Sequence, residues 1–151
     1  MLEIEIDDEA AMLRFGAQLA DAMGGRGAVL ISGDLGAGKT TLCRGLLQHM
    51  GHEGSVKSPT FTLVEPYEIN GACVYHFDLY RLSHPDELDY VGIDEYFCDD
   101  TLCLVEWPEK AEGSLPAHDL ELAIDVAGEK RNIRIKANSQ HGTRICESLK
   151  S

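Results

Sequence analysis

The sequence predicts an α/β fold, a single domain in which a mixed parallel and antiparallel sheet is flanked by helices. Three observations predict it. Residues 28–31, Ala-Val-Leu-Ile, form a continuous apolar run of the kind found in a parallel strand buried on both faces. A glycine-rich segment and then a helical pattern follow directly. Farther on, apolar runs end in carboxylates, and shorter alternating runs flank turn signals at Asn70-Gly71 and Gly128.

The elements follow in order. Leu2, Ile4 and Ile6 alternate with Glu3 and Glu5, the pattern of a half-buried strand. Asp7 or Asp8 caps a helix along which Ala11, Phe15, Leu19 and Met23 recur, and Gly24, Gly25 and Gly27 end it. The strand at 28–31 leads into the glycine-rich segment. A helix then spans 40–50 and stops at Gly51. Residues 51–60 are polar, with Gly, Ser and Pro, and predict a loop. A β-rich run at 61–65 returns through Asn70-Gly71 along 73–78, which predicts an antiparallel hairpin. Ser83-x-x-Asp86 resembles a capping box opening a short helix to about Tyr90, and a second short helix covers 94–98. Residues 102–105 are a buried strand ending at Glu106-Trp107-Pro108. Two alternating strands, 120–126 and 132–136, surround Gly128, and a terminal helix is weakly patterned near 140–149.

The chain has 151 residues, 44% hydrophobic and 26% charged, enough for one core without disulfide or metal staples. No internal repeat, low-complexity tract or linker interrupts it. The net charge of −13 repels phosphate backbones and anionic membrane faces, which argues against direct binding of DNA or RNA. It is compatible with a basic protein partner or with plain solubility. The five cysteines form no C-x-x-C pair, and neither a signal peptide nor a membrane span is visible. A cytoplasmic location with free thiols is expected.

Gly33-Asp34-Leu35-Gly36-Ala37-Gly38-Lys39-Thr40 fits G-x-x-x-x-G-K-[ST], the Walker A pattern of a P-loop NTPase-like domain. With glycine at about 7% of residues, the fixed positions coincide by chance in under about one in a hundred chains of this length. The three glycines let the backbone curl so that successive amides point inward. The following helix adds the positive end of its dipole. Asp34, Leu35, Gly36, Ala37, Gly38, Lys39, Thr40 and Thr41 are therefore expected to cradle ATP. In that arrangement Lys39 lies on the β- and γ-phosphates, and the Thr40 hydroxyl is a Mg²⁺ ligand. Thr41 is structural or touches the α-phosphate.

Such a site needs a carboxylate at a strand end for Mg²⁺. Asp78 and Glu106 both follow apolar runs and precede a break, so both are candidate metal and catalytic residues. His76 shares a face with Asp78, but with no third ligand near in sequence it is read as a packed strand histidine. Asp99-Asp100 sits in a turn-like, solvated setting. Trp107 is the one tryptophan and is expected as a core anchor, with a lid over the nucleotide as the alternative.

Four segments in this order resemble the TsaE (formerly YjeE) family: Gly33 through Thr41, Ser58-Pro59-Thr60-Phe61, His76-Phe77-Asp78-Leu79-Tyr80-Arg81-Leu82, and Val105-Glu106-Trp107-Pro108. The resemblance covers about residues 1–135. It implies a bacterial ATPase of tRNA N6-threonylcarbamoyladenosine formation at position 37, weak alone and working with TsaD and TsaB, with tRNA held through the complex. It implies that Ser58-Pro59-Thr60 is a switch-like loop near the γ-phosphate, which makes Thr60 a catalytic candidate beside Lys39, Asp78 and Glu106. It also implies that Asp78 is the Walker B-like acid and Glu106 a second acid. Which of the two holds Mg²⁺ and which orients water stays open.

Beyond Lys39, the nearest basic residues in sequence to these motifs are Arg44 and Arg81, and Arg44 is expected to face away. A partner that completes the site is therefore expected. A small-molecule kinase is the alternative enzyme, but no arginine-rich lid is evident. A GTPase would carry an N-K-x-D motif, which is absent. A module that uses ATP occupancy without hydrolysis is the third reading.

Overall fold

Residues 1–59 and 61–150 are described by the structure, a computed structural model. The order of elements is β1 (Leu2–Ile6), α1 (Glu9–Met23), β2 (Gly27–Gly33), α2 (Lys39–Met50), β3 (Val64–Ile69), β4 (Ala72–Asp78), α3 (Glu87–Val91), α4 (Ile93–Tyr96), β5 (Thr101–Glu106), β6 (Leu120–Ala127), β7 (Lys130–Ala137) and α5 (Gln140–Lys150). A 3-10 turn spans Pro108–Ala111. The strands form one sheet in the order β1-β7-β6-β2-β5-β4-β3. The β2 strand lies between β5 and β6, parallel to both, and β4 runs parallel to β5. The β1–β7, β6–β7 and β3–β4 pairs are antiparallel. The mixed α/β class is thus the observed one.

Alternation in the central strands sorts the core into two layers. Val29 and Ile31 face Phe15 and Leu19 of α1, Leu42 and Leu46 of α2 and Ile145 of α5. Ala28 and Leu30 face Phe77, Leu88, Ile93 and Ala111 on the other side. All six residues of β5 are buried, as a strand covered on both faces requires. The Asp8 carboxylate accepts the Ala11 amide at 2.8 Å and caps α1. Helices α1 and α2 meet backbone to backbone through Gly16 and Gly45. A Cβ on Gly45 would collide with the Leu13 carbonyl, and one on Gly16 with the Leu42 carbonyl.

Three local expectations are corrected. The first hairpin strand begins at Val64, not Phe61. The Leu63 amide donates to the Pro59 carbonyl at 2.9 Å, and Leu63 takes a φ of 67°, so residues 61–63 turn and Phe61 is exposed. Ser83 caps nothing. Helix α3 starts after Asp86, whose amide donates to His84 Nδ1 at 3.1 Å in a turn set by Pro85. Helix α4 stops at Tyr96 and not at Cys98, because the Thr101 hydroxyl donates to the Tyr96 carbonyl at 2.7 Å and accepts the Cys98 amide. Among the described residues no helix is long and apolar enough to cross a membrane.

Candidate nucleotide site

The loop leaves β2 at Gly33 and enters α2 at Lys39. The Ala37 amide donates to the Asp34 carbonyl at 3.0 Å and closes a turn. Gly36 and Gly38 are among the positions that need glycine. Gly36 has a φ of 80°, and Gly38 a φ of 111° with Met12 Cε 2.9 Å from where a Cβ would stand. Arg131 of β7 reaches across to hold the loop from outside, donating from Nε to the Ala37 carbonyl at 3.1 Å and from Nη2 to the Gly36 carbonyl at 3.3 Å.

Lys39 is folded back on its own loop. Its ammonium donates to the carbonyls of Gly33 and Asp34, the latter at 2.9 Å. It also lies 4.2 Å from the centroid of the Trp107 ring. Burial pushes its pKa down, against the opposing pull of Glu106, Glu109, Asp78 and Asp34.

The two carboxylates are brought side by side by register. Asp78 ends β4 opposite Glu106, which ends β5 opposite Ile31 of β2. Both are buried. The Thr40 hydroxyl stands 3.1 Å from each Glu106 oxygen. Asp78 accepts the Ser58 hydroxyl on Oδ2 and the Tyr80 amide on Oδ1 at 2.9 Å, which ties the 51–59 loop to the site. Thr60 lies outside the described residues.

His76 is indeed packed within the sheet, and its Nε2 also lies 2.5 Å from Glu106 Oε2. The third group that was missing in sequence is Cys43, one turn into α2; its sulfur completes a buried cluster with His76 and Glu106. Burial, with the charges of Glu106 and Asp78, pushes the Cys43 thiol well above its ordinary pKa. That disfavours the thiolate, the form in which sulfur binds a metal. The oxygen set of Thr40, Glu106 and Asp78 is the better fit to a hard cation such as Mg²⁺.

A cavity of about 310 Å³ opens above these groups. Leu35, Gly36, Gly38, Lys39, Thr40, Thr41, Asp78 and Glu106 lie on its wall, as does Ser58. Asp34 and Ala37 are off the wall; Ala37 is buried against the core and Asp34 serves through its carbonyl. Trp107 packs against the second core layer and also reaches the cavity. With a φ of 59° it turns out of β5, half-buried, and its ring lies at the cavity mouth 4.9 Å from Tyr80. Arg44 faces away, paired with Glu9 at 2.9 Å, and Arg81 stacks on Phe61 at 4.4 Å. A second cavity of about 210 Å³ adjoins the loop between Asp8, Glu9, Met12 and Arg131, sharing Gly36, Gly38 and Thr41 with the first.

Sequence reasoning missed Tyr80 and Arg131. Tyr80 stood inside a quoted motif, two residues past Asp78, where a strand-end acid turns the chain. Arg131 gave no signal, because only the sheet order brings β7 near the loop.

Comparison with known proteins places this geometry. Residues 6–134 match the family model described as "Threonylcarbamoyl adenosine biosynthesis protein TsaE". A protein of Haemophilus influenzae named "tRNA threonylcarbamoyladenosine biosynthesis protein TsaE" is 49% identical over 149 residues, 95% of this chain and 94% of that one. The protein of the same name from Bacillus subtilis is 40% identical over 135 residues, 88% and 84% of the two chains. The crystal structure of Bacillus subtilis YdiB superposes with a TM-score of 0.81 at 31% identity, covering 99% of this chain and 93% of that one. The family match extends from the end of β1 into β7 and so takes in the loop, both strand-end acids and Arg131: this chain belongs to the TsaE family.

Proposed function

We propose that the chain binds ATP with Mg²⁺ over the 33–40 loop and hydrolyses it, as the ATPase of tRNA threonylcarbamoyladenosine formation, in complex with TsaD and TsaB. The observation that carries this reading is the meeting of Thr40 and Glu106, 3.1 Å apart, at the foot of a loop that already holds a buried lysine. The pathway rests on the family and on the names of the relatives.

Each group has a part that follows from its surroundings. The loop amides and the start of α2 receive the phosphates. Lys39 exchanges its two carbonyl partners for phosphate oxygens, and Trp107 guides that exchange by flanking the ammonium. Thr40 and Glu106 hold Mg²⁺, which supplies charge neutralisation at the β- and γ-phosphates. Asp78, fixed by Ser58 and the Tyr80 amide, orients the attacking water. The second cavity gives the nucleoside room on the Thr41 side. Trp107 and Tyr80 restrict water at the mouth.

Among the described residues, Lys39 is the one basic side chain on the cavity wall. Arg44, Arg81 and Arg131 are engaged elsewhere. A single cation leaves the developing charge of phosphoryl transfer under-compensated, so slow turnover alone and stimulation by a partner are expected.

The test is ATP hydrolysis by the chain alone and with purified TsaD and TsaB, with Lys39→Ala as the blank. Strong stimulation, absent in the variant, is the expected result. Equal rates with and without the pair would refute the partner-completed site and turn the question to a phosphate acceptor.

A further inference from the structure

His76 is wholly buried, and among the described residues its Nδ1 has no hydrogen-bond partner. Burying an unpaired ring nitrogen is costly, a penalty that an apolar side chain at the same place would avoid. Among the described residues, the one polar contact that offsets it is Nε2 to Glu106 Oε2 at 2.5 Å. Cys43, the remaining member of the cluster, is a buried thiol whose ionisation is disfavoured by that burial.

Among the described residues, Glu106 has two holders. Thr40 is on the cavity wall and donates its hydroxyl to the carboxylate. His76 lies behind, on β4, which is locked to β5 by register. When the Thr40 oxygen serves as a cation ligand it no longer ties Glu106 in the same way. The buried imidazole is then the holder that remains.

We propose that His76 is a positioning residue for the cation site, its Nε2–H fixing the Glu106 carboxylate toward Thr40 while Nδ1 stays bare. A carboxylate accepts, so the ring donates from Nε2 to Glu106. This inference rests on the Mg²⁺–ATP reading of the site.

The test uses the full chain with ADP and Mn²⁺, whose binding is followed by electron paramagnetic resonance, together with the Mg²⁺ dependence of ATP hydrolysis. Replacing a residue that orients a metal ligand lowers metal affinity or activity by roughly 10–100-fold. His76→Leu is expected to weaken Mn²⁺ by that factor while nucleotide binding without metal is kept. His76→Gln, whose side-chain amide can donate from about the Nε2 position, is expected to restore most of the loss. Thermal unfolding checks each fold. Should the leucine variant unfold, His76→Asn, whose amide reaches only the Nδ1 side, carries the same expectation of loss. Wild-type Mn²⁺ affinity in His76→Leu or His76→Asn overturns the inference, as does a glutamine variant no better than leucine. A wild-type chain that binds ADP but no Mn²⁺ overturns the underlying site reading as well, which separates the two failures.

Discussion

Lys39 joins three facts that usually stand apart: it is buried, it donates to carbonyls of its own loop, and it sits over the ring of Trp107. Since Trp107 is the one tryptophan in the chain, its emission reports a single place, the ring's contacts with Lys39 and Tyr80. ATP is expected to change that emission as the ammonium moves to the phosphates. Lys39→Met should alter the ligand-free spectrum and abolish the ATP response in a fluorescence titration; a full response in that variant would detach the ring from nucleotide binding. Glu106→Ala should keep ATP binding, which the loop provides, yet stop multiple turnover, measured as released phosphate. The loop and both acids were legible because their chemistry demands fixed residue types at fixed places: glycine where φ is positive, Lys-Thr at a helix start, carboxylates at strand ends. The place of Trp107 at the cavity was legible only as an alternative to a place in the core. Its side chain follows from a left-handed backbone turn, and nothing in Glu106-Trp107-Pro108 announces a positive φ at a bulky residue.

At the scale of elements, the crossing of α1 and α2 decides how near the loop helix comes to the sheet. Gly16 and Gly45 let the backbones touch. Gly45→Ala would raise helix propensity, a gain of up to about 1 kcal/mol if the site were open. Here the new methyl meets the Leu13 carbonyl, and overpacking of that kind costs about 1–3 kcal/mol. Net destabilisation is expected in urea unfolding, and a stabilised variant would refute the close approach. Strand and helix types were legible from periodicity, and so was the Asn70-Gly71 hairpin turn. The ends were less so. Residues 61–63 have strand-like composition, but the Pro59–Leu63 hydrogen bond turns them away, and the Ser83 capping pattern lost to a turn built on Pro85. In both places a proline two or more residues off set the local path.

For the whole molecule, the charge of −13 is spread over an exposed surface whose visible ion pairs, Lys130–Glu5 and Arg134–Asp125 among them, are solvent-facing. Such pairs contribute little, so screening of general repulsion should dominate. The melting temperature is expected to rise between about 0.01 M and about 0.15 M ionic strength, where the screening length falls from about 30 Å to about 8 Å. A fall over that range would mean that the pairs outweigh the net charge. The sheet order itself could not be read from sequence, since no local pattern says that β6 inserts beside β2 or that β7 delivers Arg131 to the loop. That order has a consequence for synthesis. The strand bearing the phosphate loop keeps an open edge until β6 has been made, and β1, translated first, waits for β7. On the ribosome the nascent sheet therefore lacks a neighbour for β2 until β6 emerges and a place for β1 until β7 does, and a fragment ending after β5 would bring out the loop motif without the strand and the arginine that shape it.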